Sequence, residues 1–237
     1  MWISTAARPR YVHITHSSFS FSLIPEPLRT TLKLASPSST YELHNDNTNQ
    51  YRAMYWLYYD MKKYDNYTDA ERIQLWALGT FYYDTLGHQW HNKENWMTDK
   101  KGVTVCDWYG LTCDADGMVI EMNLADNRVR RDLPYEFTLL SKLRYLRLSE
   151  NSLRTLPTLL FEMPELDVID FDANGIKEIP HIPKRNRVRE LYLAQNRIYE
   201  IPSSIGELQK LEVLWLWKND LSGTLPSEIG QLANLGK

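Results

Sequence analysis

Two pairs of side chains have residue types that could hold a metal ion or form a covalent bond. Cys106 and Cys113 are the two cysteines of the chain. A lone close pair suits either one disulfide or two reduced thiols, whereas a structural zinc site needs four ligands. His88 and His91 lie in a tryptophan-rich stretch that offers no third ligand at a usable spacing. We therefore predict no metal site and no cofactor, and we expect both histidines to serve packing of the cap that precedes the repeats.

Asp167, Asp170 and Asp172 are the carboxylates whose spacing could serve chemistry. Alternation along a strand would place Asp170 and Asp172 on one face, where solvated carboxylates are ordinary and a weak cation site is the alternative. The sequence contains no glycine-rich phosphate loop, nucleophile elbow, HExxH zinc signature or kinase catalytic motif. We therefore expect that the chain is not an enzyme.

One spacing of apolar residues and an asparagine, LxxLxLxxNxL, organises the chain that positions these groups. It begins at Val119, Leu143, Leu166, Val188 and Leu211, and Leu235 opens a further unit. A period in the twenties with this pattern is the signature of leucine-rich repeats. The fold class predicted for residues 119–237 is therefore an α/β leucine-rich repeat solenoid with a right-handed coil. Because the sixth repeat has only begun when the sequence stops, we expect the chain to be truncated, with apolar surface open at its last coil.

The asparagine of each repeat lies where the chain turns out of the strand. A side-chain amide at that point can satisfy backbone groups of adjacent coils that would otherwise be buried without a partner. We therefore interpret these asparagines as structural. They are Asn127, Asn151, Asn174, Asn196 and Asn219.

A helical cap is predicted before the repeats, over residues 50–118. Apolar spacing predicts one helix over about 50–63. A second begins at Asp69, since Thr68 and Glu71 can form a capping box, and we expect Gly87 to supply its left-handed end. Residues 1–49 mix Pro, Ser, Thr and Asn without a period, so we expect a disordered leader.

The segment CDWYGLTC resembles the CxWxGVxC signature of the plant-type cap that precedes leucine-rich repeats. Cys106, Trp108, Gly110 and Cys113 match that signature, and Leu111 stands where valine is usual. The preceding DTLGHQW is similar to the TGGxxW version of this cap in algal and related microbial proteins. The resemblance implies a disulfide between the two cysteines, a tryptophan packed on it, and a helix covering the open edge of the first coil. A disulfide favours an oxidising compartment.

The outward positions of the repeat strands should form the concave face of the solenoid. Large aromatic residues there cost solubility unless covered, and Trp, Tyr and Arg dominate binding hot spots. The alternative is that the aromatic residues shield one another or pack on later repeats. The predicted binding residues are Arg147, Glu190, Tyr192, Trp215 and Trp217.

The predicted function is recognition of a protein or peptide, in an extracellular or cell-surface protein. A formal net charge of −3 with intermixed signs gives no basic field, so we expect no nucleic-acid partner. The sequence shows no membrane-spanning segment and no secretory signal, and it does not determine the oligomeric state. The sequon at Asn66 is a candidate glycosylation site. Two alternatives remain: an intracellular scaffold, favoured by the plain xIPxxI repeats, and the ectodomain of a receptor-like kinase whose catalytic domain lies outside this chain.

Overall fold

Each repeat contributes one short strand to a parallel sheet in the computed structural model, which describes residues 26–61 and 67–236. The repeat strands are β2 (Val119–Asn123), β3 (Tyr145–Arg147), β4 (Val168–Asp170), β5 (Glu190–Tyr192) and β6 (Val213–Trp215). They pair in chain order, and β1 (Leu111–Cys113) completes the 6-stranded sheet by pairing antiparallel with β2. This is the α/β sheet with parallel repeat strands that the apolar spacing predicts.

The register of the sheet places equivalent leucine-type residues on top of one another. Met122 pairs with Leu146, which pairs with Ile169, and Leu191 pairs with Leu214. Met122, Leu146, Ile169 and Leu191 are fully buried. A slip of one residue would move this apolar set to the solvent face, so burial itself fixes the register.

Each coil returns to the sheet through extended chain and, in most repeats, a short 3₁₀ helix. These helices span Tyr135–Leu139, Thr158–Glu162, Ser203–Glu207 and Ser227–Gln231. A proline immediately precedes each one, because its fixed φ suits the start of a helical turn. Phe137, Phe161 and Ile205 point inward from these helices and are buried.

The repeat asparagines bridge neighbouring coils with both ends of their amides. Asn196 accepts a hydrogen bond from the Ile176 N–H at 2.9 Å and donates to the Phe171 carbonyl at 2.9 Å. It also donates to the carbonyls of Leu193 and Ala194 in its own coil. Asn151, Asn174 and Asn219 make the corresponding bonds in their coils. The Asn127 amide bonds instead to the Asn92 backbone, in the segment before the sheet. These contacts join backbone groups of successive coils at the point where each strand ends.

Two helices precede the sheet; the second lies over the first coil, and the first packs on the second. Helix α2 spans Asn49–Met61, and helix α3 spans Asp69–Asp84 with Thr68 and Glu71 forming a reciprocal capping box. The left-handed residue after α3 is Leu86, at φ 59°, so the prediction that Gly87 supplies it is wrong. Gly87 is needed for space instead, since a Cβ there would lie 2.1 Å from the Tyr82 ring.

The cap is filled by aromatic side chains and closed by a disulfide. Trp76 and Phe81 are fully buried, and the Trp96 ring lies 4.9 Å from the rings of Trp90 and Trp108. A bond joins Cys106 to Cys113. Gly110, between these cysteines, has φ +80° and lies so close to β2 that a Cβ would meet the Asn123 carbonyl oxygen at 2.2 Å. That contact explains why the turn requires glycine.

The structure differs from the sequence-based expectation over residues 26–49. Helix α1 spans Glu26–Ala35 and buries Leu28 and Leu32, and two 3₁₀ turns follow at Pro37–Ser39 and Glu42–His44. A short amphipathic helix among prolines gave too weak a period to detect. Residues 1–25 of the expected leader lie outside the described residues.

This N-terminal segment is tied to the first coil by polar contacts. Ser39 donates a hydrogen bond to the fully buried Glu136 carboxylate, and Gln50 Nε2 donates to its other oxygen at 3.2 Å. Trp76 of α3 in turn donates to the Gln50 carbonyl at 3.0 Å. The segment therefore belongs to the packed structure. Within the described ranges, no helix has the length and apolar character required to cross a membrane.

We predict that Leu32→Ala lowers the free energy of unfolding by about 2–5 kcal/mol, because it opens a cavity beneath α1. Leu34→Ala is the matched control: Leu34 is 76% exposed and its removal should cost no more than about 0.5 kcal/mol. Urea unfolding followed by tryptophan fluorescence measures both. Equal effects of the two substitutions would show that α1 does not pack as described.

We also predict that Asn196→Ala destabilises the protein by about 3 kcal/mol, because it leaves several buried backbone groups without partners. Asn123→Ala serves as the control, since Asn123 is exposed and accepts only a long bond from the Ala125 N–H at 3.3 Å. Thermal unfolding of both variants compares the two sites. A loss at position 196 no larger than that at 123 would contradict the structural reading of the asparagines.

Candidate functional site

The outward side chains of the strands form two neighbouring columns across the sheet. The first column runs Asn123, Arg147, Asp170, Tyr192, Trp215, and the second runs Ala125, Ser149, Asp172, Ala194, Trp217. Trp215 and Trp217 are 46% and 48% exposed, which is unusual for such large apolar side chains. Within these two columns, the exposed large apolar side chains therefore lie at the β6 end, although other apolar residues such as Leu34 and Tyr41 are exposed elsewhere on the described protein.

Tyr192, Trp215 and Glu190 form one connected cluster. The rings of Tyr192 and Trp215 meet edge to face with 4.8 Å between their centroids. The Tyr192 hydroxyl donates a 2.7 Å hydrogen bond to Glu190 Oε2. Burial, and then the Glu190 carboxylate, raise the pKa of Tyr192 to about 12, so this hydroxyl stays a donor at neutral pH. The aromatic residues therefore do shield one another in part, while a large fraction of Trp215 still faces solvent.

Trp217 and Arg147 lie on either side of this cluster. Lys218 Nζ sits 5.0 Å from the centroid of the Trp217 ring, within cation–π range. Arg147 forms an ion pair with Glu121 on the preceding strand, and its guanidinium lies 5.6 Å from the Tyr145 ring. The structure thus brings together Glu190, Tyr192 and Trp215 but places Arg147 in a separate group two strands away.

Two carboxylates at the centre of the face were not among the predicted binding residues. Asp170 Oδ2 accepts a 3.1 Å hydrogen bond from the Ser149 hydroxyl, and Asp172 Oδ1 accepts one of 2.6 Å from the Ala194 N–H. Burial is the main cause that raises the pKa of Asp172 to about 6; the Ala194 N–H opposes this rise in part, and the nearby Asp170 charge adds to it. Their alternation along β4 and the residues just after it, next to the tyrosine of β5, was the available sequence signal.

Three further residues singled out in the sequence are His88, His91 and Asn66. His88 and His91 are exposed, and the His91 backbone N–H donates a hydrogen bond to the Asn127 carbonyl of the first coil at 3.2 Å. In the described part of the chain, no group of three or more His, Cys, Asp or Glu side chains could hold a metal ion. Asn66 lies outside the described residues.

We predict that Asp172→Asn stabilises the protein by about 1 kcal/mol at about pH 7.5, and that this gain disappears near pH 4. A carboxylate whose pKa is raised in the folded state holds a proton that the unfolded chain releases, so stability falls as pH rises from about 4 to about 6. The expected gain is smaller than the full shift implies, because Asp172 is partly solvated.

Urea unfolding at both pH values measures this difference, and Asp220→Asn, at an exposed carboxylate, is the control. A gain of equal size at both pH values would mean that Asp172 is not destabilised by its charge.

Comparison with known proteins identifies leucine-rich repeats in this chain. A leucine-rich repeat family model matches residues 142–163 and 210–232. The chain is 24% identical to Phytosulfokine receptor 1 of Arabidopsis thaliana over 64% of its own length and 18% of that protein. It is 35% identical to the adenylate cyclase of Schizosaccharomyces pombe over 48% of its length and 5% of that protein. The chain therefore spans less than a fifth of the length of these relatives.

A similar fold occurs in a solved structure, the leucine-rich repeat ectodomain of the receptor kinase SOBIR1 from Arabidopsis thaliana. The TM-score is 0.53 at 23% identity, and the match covers 69% of this chain and 89% of that one. At this identity the likeness concerns the fold alone. The chain thus contains leucine-rich repeats arranged as in plant receptor ectodomains.

Proposed function

We propose that this chain is a non-enzymatic recognition module that binds a protein or peptide on the concave face, at the end formed by β5 and β6. The observation that carries this proposal is the pair of tryptophans, Trp215 and Trp217, which are each nearly half exposed on an unpartnered sheet face. Tryptophan and tyrosine supply rigid contact area, and they dominate binding energy in protein interfaces. The name of one relative, a receptor, agrees with such a role.

The strand spacing sets the size of the partner that fits. Adjacent strands lie about 4.8 Å apart, so five repeat strands offer a surface about 19 Å long. This length suits an extended peptide or the edge of a folded protein. Arg147, paired with Glu121, would then lie toward the far end of the bound segment from the tryptophans.

We further propose that the protein works outside the cell or at its surface. The Cys106–Cys113 disulfide supports this compartment, because such bonds persist in oxidising surroundings. An intracellular scaffold is the second candidate, and the plain repeat returns at 156–163 and 201–208 favour it. Mass spectrometry of the protein from its native host under non-reducing conditions should find the two cysteines joined. Two free thiols would favour the scaffold.

The binding face is tested by selecting linear peptides of random sequence against the protein from a display library. The double variant Trp215→Ala, Trp217→Ala should weaken the selected peptides by about 30-fold or more, because hot-spot side chains contribute about 2 kcal/mol or more. Calorimetry measures the affinities, and urea unfolding verifies that the variant is folded.

Tyr199→Ala is the matched control, since Tyr199 is 45% exposed but lies outside the repeat strands. Its substitution should leave peptide affinity unchanged. The proposal is wrong if selected peptides bind the double tryptophan variant as tightly as the original protein, or lose affinity only with Tyr199→Ala.

A further inference from the structure

The exposed aromatic patch borders three carboxylates that carry an excess of negative charge. Asp170 and Asp172 lie on and just after β4, and Glu190 is on β5 beside the Tyr192–Trp215 pair. Trp217 follows Asp172 and Ala194 in the second outward column. Acidic and aromatic side chains thus occupy the same end of the concave face.

The hydrogen-bond partners of these carboxylates are neutral groups. Asp170 accepts from the Ser149 hydroxyl and, at 3.1 Å, from the Asp172 N–H. Asp172 accepts from the Ala194 N–H, and Glu190 accepts from the Tyr192 hydroxyl. Such bonds orient the carboxylates but leave their charge uncompensated.

The neighbouring cations are engaged elsewhere. Arg147 lies beside Asp170 in the sheet register, yet its guanidinium is paired with Glu121 on the opposite side. Lys218 is held over the Trp217 ring at 5.0 Å. An incoming cation would therefore meet carboxylates without displacing an existing ion pair, and burial of Asp172 would make its neutralisation more favourable.

The aromatic rings also favour a cationic partner. Ala194 has no exposed surface although it belongs to the outward column, so the side chains beside it must close over it. Asp172 and Trp217 are the neighbours of Ala194 on either side in the second outward column, and Asp172 bonds the Ala194 N–H. A cation beside carboxylates and over an aromatic face gains from both, and the planar guanidinium suits this arrangement better than an ammonium ion.

We propose that the partner is a basic peptide segment that places an arginine or lysine side chain against Asp170, Asp172 and Glu190, with its stem on Tyr192 and Trp215. This inference rests on the proposed function and deepens it by stating the chemistry of the partner. Long basic side chains bury an apolar stem while keeping the charged head at a polar site, which matches an apolar surface bordered by acids.

Two peptide display libraries test the proposal, one complete and one identical except that it lacks arginine and lysine. The original protein should enrich peptides from the complete library that carry at least one arginine or lysine, and their affinity should fall about tenfold when that residue is replaced by glutamine. Selections are run in the presence of EDTA so that a divalent metal cannot bridge the acids to an acidic peptide.

The variant Asp170→Asn, Asp172→Asn, Glu190→Gln keeps the shape of the face but removes its charge. It should lose the preference between basic peptides and their glutamine versions. The control variant Asp116→Asn, Asp220→Asn removes exposed carboxylates outside the face and should retain the preference.

The possible results separate the two proposals. Equal enrichment and affinity from the library without arginine and lysine, with sensitivity to Trp215→Ala, would overturn the basic partner but leave the binding face standing. Enrichment of acidic peptides, or unchanged selectivity in the charge-neutral variant, would also overturn it. Peptides insensitive to the tryptophan substitutions would overturn the binding face itself.

Discussion

The hydrogen bonding of five asparagine side chains is the interaction on which the rest of the structure depends. Each coil turns sharply as it leaves its strand, and the turn leaves backbone N–H and C=O groups buried between coils. An amide can donate and accept at once, as Asn196 does between Phe171 and Ile176, so one side chain satisfies both kinds of group. Because bonds from Asn151, Asn174, Asn196 and Asn219 reach the preceding coil, they also fix how the coils stack. The outward columns of the sheet follow from that stacking.

The apolar interior of the first coil must be covered, and in this protein two layers of helices and turns cover it. Helix α3 and the aromatic cluster around Trp96 cover the first coil, and the Cys106–Cys113 disulfide ties the turn before the sheet to the end of β1. Helix α1 and the segment after it add an outer layer, joined to the first coil through the buried Glu136 carboxylate. A buried carboxylate is costly without partners, so the bonds from Ser39 and Gln50 bind this layer firmly in place.

The outward face of the sheet combines two groups that differ in how far their charges are satisfied. Near β3, Arg147 and Glu121 neutralise each other beside Tyr145. Toward β6, carboxylates held only by neutral donors adjoin aromatic rings that remain substantially exposed. Solvent-facing aromatic area lowers solubility, and clustered like charge lowers the stability of the folded state, unless a partner covers them. Because both features lie toward the same end of the sheet, we propose that the partner binds at that end.

The sequence by itself determined the repeat fold. Stacked coils bury the regularly spaced leucines and at the same time satisfy the amides of the asparagines. From that spacing follow the strands, the buried registers and the membership of each outward column, including Tyr192, Trp215 and Trp217. Only the tertiary structure decided which of those residues meet: Arg147 joins Glu121, whereas Tyr192 joins Glu190 and Trp215. Helix α1 and the left-handed Leu86 also escaped prediction. Local patterns specify which face a side chain occupies, but rotamers and long-range polar contacts, such as that of Ser39 with Glu136, depend on neighbours distant in the chain.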